Sequence, residues 1–140
     1  YCRDFLIKLA EAENDGWATF SGFLDEATIV QSMNNAHALI HFPLEESFGL
    51  VVAESLARGL KVFASNVGGI RDIASGVSDA ELFEPEDWAG LSRGLSAWLE
   101  KPNLSSAQTQ NLMKSRYSPK TIASRHLDIY REVLSASNPS

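Results

Sequence analysis

Two carboxylates eight residues apart, Glu46 and Glu54, bracket the almost wholly apolar run Ser47-Phe48-Gly49-Leu50-Val51-Val52-Ala53. A carboxylate is costly to bury unless something hydrogen-bonds it. Glu54 is surrounded in sequence by Val51, Val52, Ala53, Leu56 and Ala57, so it is expected to face a partner in a cleft. The pattern over residues 47–58 predicts a helix, with Glu46 at its mouth and Glu54 two turns inside, roughly 12 Å away along the axis. The residues at that helix N-terminus, Ser47, Phe48, Gly49 and Leu50, offer free N–H groups and the positive end of the dipole, which suit an anion. Gly49 allows a close backbone approach, and Gly68-Gly69 offers a second set of backbone donors ahead of a short helix. This span fits a sugar–diphosphate–ribose ligand, with one carboxylate on sugar hydroxyls and the other on the ribose diol.

Each of these residues also has a plainer role open to it. Glu46 could be a dipole-favoured first-turn acid, Glu54 could pair with a buried cation, and Gly68-Gly69 could be a turn. Their joint occurrence in register favours a shared site. Arg71 is the nearest cation for a phosphate, although a surface position suits it as well, and Arg58 and Lys61 read as solvated. His37 and His41 lie at the two ends of one expected strand without further suitably spaced ligands, so they read as structural rather than metal-binding. His126 reads as a helix-surface residue.

The 140 residues correspond to one domain or part of one, and 44% hydrophobic content is enough for a packed core. A net charge of -6 argues against nonspecific nucleic-acid binding. The single cysteine, Cys2, excludes a disulfide framework and a cysteine-rich metal site, and it reads as a small residue near a terminus. No apolar stretch approaches the roughly 20 residues that span a bilayer. The chain begins at Tyr1, which is compatible with an excerpt of a longer protein.

These residues are positioned by an alternation of helices and strands. Helices are expected at 3–13 and 26–36, the latter capped by Asp25. Strands are expected at 17–20, 37–42, 61–65 and 80–83. A helix over 47–58 is stopped by Gly59, a short one covers 70–74, and another opens at the acidic run 84–87 with Trp88, Leu91, Leu95, Trp98 and Leu99 as its buried stripe. Trp17 also reads as core. After a linker at 102–106, helices follow over 107–116 and 119–135, with Pro119 at a first helical position, and the tail to Ser140 is polar. The fold class is therefore α/β, a Rossmann-like parallel sheet with helices on both faces. Ligands in such sheets bind beyond the carboxyl ends of the strands, where the loops 43–49, 66–69 and 21–25 lie.

The run from Pro43 to Arg71, continued by Asp72-Ile73, resembles the E-x7-E signature of group 1 (family four) glycosyltransferases, which have the GT-B fold. Residues 17–23, Arg116-Tyr117-Ser118 and Tyr130 also resemble flanking parts of that family. The resemblance covers nearly the whole chain as a partial donor-binding domain, the C-terminal half of such an enzyme without that half's first strands. It implies retaining transfer of a hexosyl group from a nucleotide-diphosphate sugar to a glycan or lipid-linked acceptor, with no metal and no other cofactor. Glu46 would contact the donor sugar near the reacting carbon, and the amides of Phe48, Gly49 and Leu50 would lie by sugar and phosphate. Glu54 would bind the ribose, and Gly22, Phe23 and Leu24 would meet the base. Pro43-Leu44 replaces the family's Pro-Ser, and Asp72 replaces a Glu. The family's basic diphosphate clamp and its acceptor-binding domain lie upstream, so this stretch alone is expected to be inactive, and a non-catalytic nucleotide-sugar module is the alternative. The absent strands imply an exposed sheet edge, able to pair with a second copy. The implied location is cytoplasmic, at most peripheral at the inner face of a membrane.

Overall fold

The computed structural model describes residues 2–103 and 106–136. The thiol of Cys2, the middle of the 102–106 linker and the tail beyond Ala136 lie outside what is described. The chain divides into two compact units, Tyr1–Ser32 and Met33–Ser140.

The first unit holds helix α1 (Cys2–Asn14) and most of α2 (Glu26–Asn35). Asp25 caps α2 as expected, its carboxylate accepting from the Thr28 amide at 2.8 Å. The strand expected at 17–20 does not form. The amides of Trp17 and Ala18 both turn back to the carbonyl of Ala12, and the Phe20 amide donates to the Glu13 carboxylate at 2.7 Å. The donors a ladder would need are thus used in closing α1. Trp17, expected in the core, is 76% exposed.

The second unit is built on three parallel strands in the order β1 (Ala38–His41), β2 (Lys61–Ser65), β3 (Ala80–Phe83). Leu39 pairs with Val62, and Ala64 with Leu82. The crossovers are α3 (Leu50–Arg58) and α4 (Gly68–Ala74), followed by α5 (Trp88–Glu100), α6 (Ala107–Tyr117) and α7 (Pro119–Ala136). Every residue of β2 is buried, and its pleat separates two layers. Val62 and Ala64 join Val52 and Leu56 of α3, Ile70 and Ile73 of α4 and Met113 of α6 in one core. Phe63 lies on the other face, its ring 5.8 Å from that of Trp98 on α5. The sheet is therefore covered on both faces, as its all-buried central strand requires.

The helix ends carry their own chemistry. Gly59 closes α3, with its amide on Leu56 and the Leu60 amide on Ser55. Asp87, Ser106 and Ser118 cap α5, α6 and α7 by accepting from Gly90, Thr109 and Thr121.

Three further burial expectations change, all in the second unit. Trp88 and Leu99, expected in the buried stripe of α5, are each 60% exposed. They sit at the two ends of the helix, and Trp88 instead meets the Phe42 ring at 4.8 Å. Lys61, expected in solvent, is buried. Its ammonium pairs with Glu81 at 3.6 Å and lies over the Phe63 ring, which compensates the desolvated charge.

The buried hydroxyl of Ser55 has no hydrogen-bond partner among the described residues. Alanine removes that unsatisfied group and improves helix propensity. Ser55→Ala is expected to stabilise the unit by about 1 kcal/mol, read as a raised urea midpoint at unchanged slope. No helix among the described residues is long and apolar enough to cross a membrane.

Candidate functional site

The loops after β1 and β2 meet at the carboxyl ends of the strands, and glycine is what lets them meet. A Cβ on Gly68 would overlap the carbonyl oxygen of Glu46, and one on Gly69 would stand 2.5 Å from the carbonyl oxygen of Phe48. Gly68-Gly69, expected to offer backbone donors to a ligand, thus also serve the close packing of the two loops.

The helix that carries the site starts later than its apolar pattern suggests. Gly49 adopts φ 72 in the left-handed region, so α3 begins at Leu50 rather than Ser47. The first helical acceptor is the Gly49 carbonyl, bonded by the amides of Val52 and Ala53. Glu46 therefore stands on the loop rather than at the mouth of the helix, and the axial spacing estimated to Glu54 does not apply.

Glu46 folds back on its own loop. One carboxylate oxygen accepts from the Phe48 amide at 3.2 Å, and the other lies 3.2 Å from Nε2 of His41. The His41 hydrogen bond and then the amides of Phe48, Gly49 and Ser47 hold this carboxyl below the usual glutamate range. A depressed carboxylate contributes its stabilisation above its unfolded-state pKa and loses it as pH falls through the lower folded value. Acid is thus expected to release the 46–49 loop only below the ordinary glutamate range, leaving it intact from pH 7 to 5. The Glu46 carboxyl carbon shift, followed by NMR, checks this.

Ser47 is exposed on this loop, and Phe48 and Leu50 are 74% and 65% exposed. Of the amides foreseen as free donors, that of Phe48 is engaged by Glu46 at 3.2 Å, and those of Gly49 and Ser47 also bear on its carboxylate. Gly22, with φ 61, Phe23, fully exposed, and Leu24, half-buried, lie in the first unit between α1 and α2.

Glu54 is exposed rather than held by buried neighbours. Val52 and Leu56, four residues apart, share the core face, and at about 100° per residue Glu54 projects from the opposite side. It lines a cleft of about 460 Å³ with Leu50 and Ala53 on one wall and Met113, Lys114 and Tyr117 on the other. The α6–α7 corner as a second wall was not foreseen, because nothing local in residues 113–119 marks contact with α3. His41 was passed over for a similar reason. A lone histidine at a strand end carries no spacing signal, and only the fold brings its ring to Glu46.

Arg71 is already committed. Its guanidinium donates to the side chain and carbonyl of Asn66, which in turn donates to Glu84. It braces the loop after β2 rather than standing open for a phosphate. Among the described residues no group of three His, Cys, Asp or Glu side chains is placed to hold a metal ion.

Comparison with known proteins adds what geometry alone does not. The chain is 26% identical to a glycogen synthase of Mycobacterium tuberculosis over 132 residues, 91% of this chain and 32% of that protein. It is 48% identical over 60 residues to a D-inositol 3-phosphate glycosyltransferase of Streptosporangium roseum, covering 41% of this chain and 13% of that one. It is 27% identical over 124 residues, 86% of this chain, to a phosphatidyl-myo-inositol mannosyltransferase of Mycolicibacterium smegmatis. At 32% of the length of two of these relatives, the chain spans about a third of them. The model of the group 1 glycosyl transferases matches residues 3–115, and with a parallel α/β sheet whose first two loops converge on Glu46, the chain belongs to the group 1 glycosyltransferase family.

Proposed function

We propose that this chain is the donor-binding part of a glycosyltransferase that moves a hexosyl group, with retention, from a nucleotide-diphosphate sugar to a glycan or lipid-linked acceptor. The observation that carries the reading is the Glu46 carboxylate, kept ionised and half-exposed where the loops after β1 and β2 converge. Its free lone pairs suit sugar hydroxyls. Glu54, on the exposed face of α3, takes the ribose diol, and the start of α3 between them takes the diphosphate.

Departure of the diphosphate leaves an oxocarbenium-like sugar, and charge grows on the phosphate. Stabilising that charge is the main electrostatic task. In this reading the Leu50 amide at the start of α3 shares it with the basic groups that the family resemblance implies. Glu46 orients the sugar and is not the nucleophile. The leaving phosphate accepts the acceptor's proton on the same face, which accounts for retention. No metal takes part. The relatives are named for different acceptors, which fits a donor module used with varied acceptor domains.

Calorimetric titration of this chain with UDP, GDP and ADP, each with and without an attached hexose, tests the reading. Saturable binding of one nucleotide, tightened or reshaped by the sugar, supports it. A folded chain that binds none of them at millimolar concentration overturns it.

A further inference from the structure

His41 stands at the last position of β1, opposite Ala64 of β2. In an extended strand alternate residues share a face, so His41 lies on the same side as Leu39, which packs against the α3–α4 core. That face looks toward the loop carrying Glu46. Nε2 of His41 lies 3.2 Å from one Glu46 carboxylate oxygen, with both side chains little more than a quarter exposed. The other oxygen is held by the Phe48 amide. An ionised carboxylate only accepts, so the imidazole must donate from Nε2.

We propose that His41 is a positioning residue for the donor sugar: it fixes the Glu46 side chain so that the accepting directions not taken by the ring and the loop amides are held facing out of the loop. The assignment to the sugar rests on the functional reading above. A carboxylate has about four accepting directions. The His41 ring takes a direction on one oxygen and the loop amides, Phe48 foremost, bear on the carboxylate as well; with the side chain about a quarter exposed, the directions left over face solvent as a preformed acceptor for sugar hydroxyls. Without the imidazole, the side chain is tethered at one oxygen only and can rotate about its last torsions. It would then have to be ordered at the moment of binding, which weakens affinity without removing any contact to the ligand. The other groups facing Glu46 are main-chain ones: the amides of residues 47–49 and the backbone of Gly68.

Two variants test this. His41→Phe keeps an aromatic ring and removes the donor, and His41→Gln keeps an N–H donor on a different frame. In His41→Phe the Glu46 carboxyl is expected to titrate at higher pH, with a displaced Phe48 amide resonance. Sugar-nucleotide affinity is expected to fall roughly 2- to 10-fold, with affinity for the free nucleotide unchanged. His41→Gln is expected to restore a large part of each effect, which a merely structural role would not predict. An unaltered Glu46 titration and Phe48 resonance in folded His41→Phe would overturn the proposal. If His41→Phe fails to fold, His41→Gln and His41→Leu are compared instead: a Glu46 carboxyl that titrates lower in His41→Gln than in His41→Leu supports the tether, and equal titration in the two overturns it. Should no variant, nor the parent chain, bind any nucleotide while the titration shifts as expected, the His41 tether stands and the donor-site reading falls.

Discussion

Gly68→Ala is expected to be among the most damaging single-methyl additions in the second unit. Two effects combine at this position. Gly68 has φ 43, in the left-handed region, which costs a residue with a Cβ about 1–2 kcal/mol. The added methyl would also overlap the Glu46 carbonyl oxygen. That neighbour is main chain and cannot rotate away, so the two loops must separate. Together about 3 kcal/mol or more is expected. Two controls divide the effect. Gly76 has φ 70 with nothing within 4 Å of a built Cβ, so Gly76→Ala reports the backbone term alone. Gly69 lies outside the positive-φ set, and its Cβ would press on the Phe48 carbonyl at 2.5 Å, so Gly69→Ala reports the contact. Denaturant midpoints should fall in the order Gly76→Ala, Gly69→Ala, Gly68→Ala, with the last the least stable. A Gly68→Ala chain no less stable than Gly76→Ala would mean that the loops do not meet as described. Because the contact lies between the Glu46 loop and the start of α4, the same variant should also disturb the Phe48 and Gly49 amide resonances, and Gly76→Ala should not.

The parts of the fold that were legible in the sequence are those set by local periodicity and punctuation. The strands at 38–41, 61–65 and 80–83 announce themselves as short apolar runs, and Gly59, Asp87 and Pro119 mark helix boundaries through chemistry local to each. What failed depended on partners distant in sequence. The run at Trp17–Phe20 has strand composition, but its donors go to Ala12 and Glu13 instead of to another strand. Lys61 read as solvated because its compensating partners, Glu81 and the Phe63 ring, appear only once β2 and β3 are paired. The start of α3 was misread because apolar composition runs through residues 48–50, and only the left-handed Gly49 reveals the break. For the site, residue types pointed to Glu46, Glu54 and the glycine pair. That the glycines serve loop-to-loop packing, and that His41 belongs beside Glu46, are consequences of parallel strand order. That order brings neighbouring carboxyl ends together and leaves no mark in any one segment.

The two carboxylates should separate by ligand. Glu54→Ala is expected to weaken free nucleotide and sugar nucleotide alike, by about one to two decades, because the ribose diol is common to both and the lost hydrogen bonds go to a charged group. Glu46→Ala should weaken the sugar nucleotide far more than the free nucleotide. The positions of the residues sharpen this expectation. Glu54 projects away from the core face of α3, so its truncation should leave stability within about 0.5 kcal/mol of the parent, and any lost affinity would report binding directly. Glu46 also holds the Phe48 amide, so its truncation frees a backbone donor as well as removing an acceptor. Glu46→Gln therefore belongs beside Glu46→Ala. The amide keeps the shape and one accepting oxygen but loses the charge, and its NH2 must turn toward either His41 or the ligand. If the charge matters only for holding the loop, Glu46→Gln should bind sugar nucleotide nearly as the parent does. If a charged acceptor on the sugar hydroxyls matters, it should behave like Glu46→Ala. Calorimetry on the four proteins with one nucleotide, with and without its hexose, measures all of these differences. Equal losses from Glu46→Ala and Glu54→Ala on both ligands would contradict the division of the donor between the two residues. A loss confined to the sugar nucleotide in one variant and shared by both ligands in the other would place the hexose at the junction of the β1 and β2 loops and the ribose along α3.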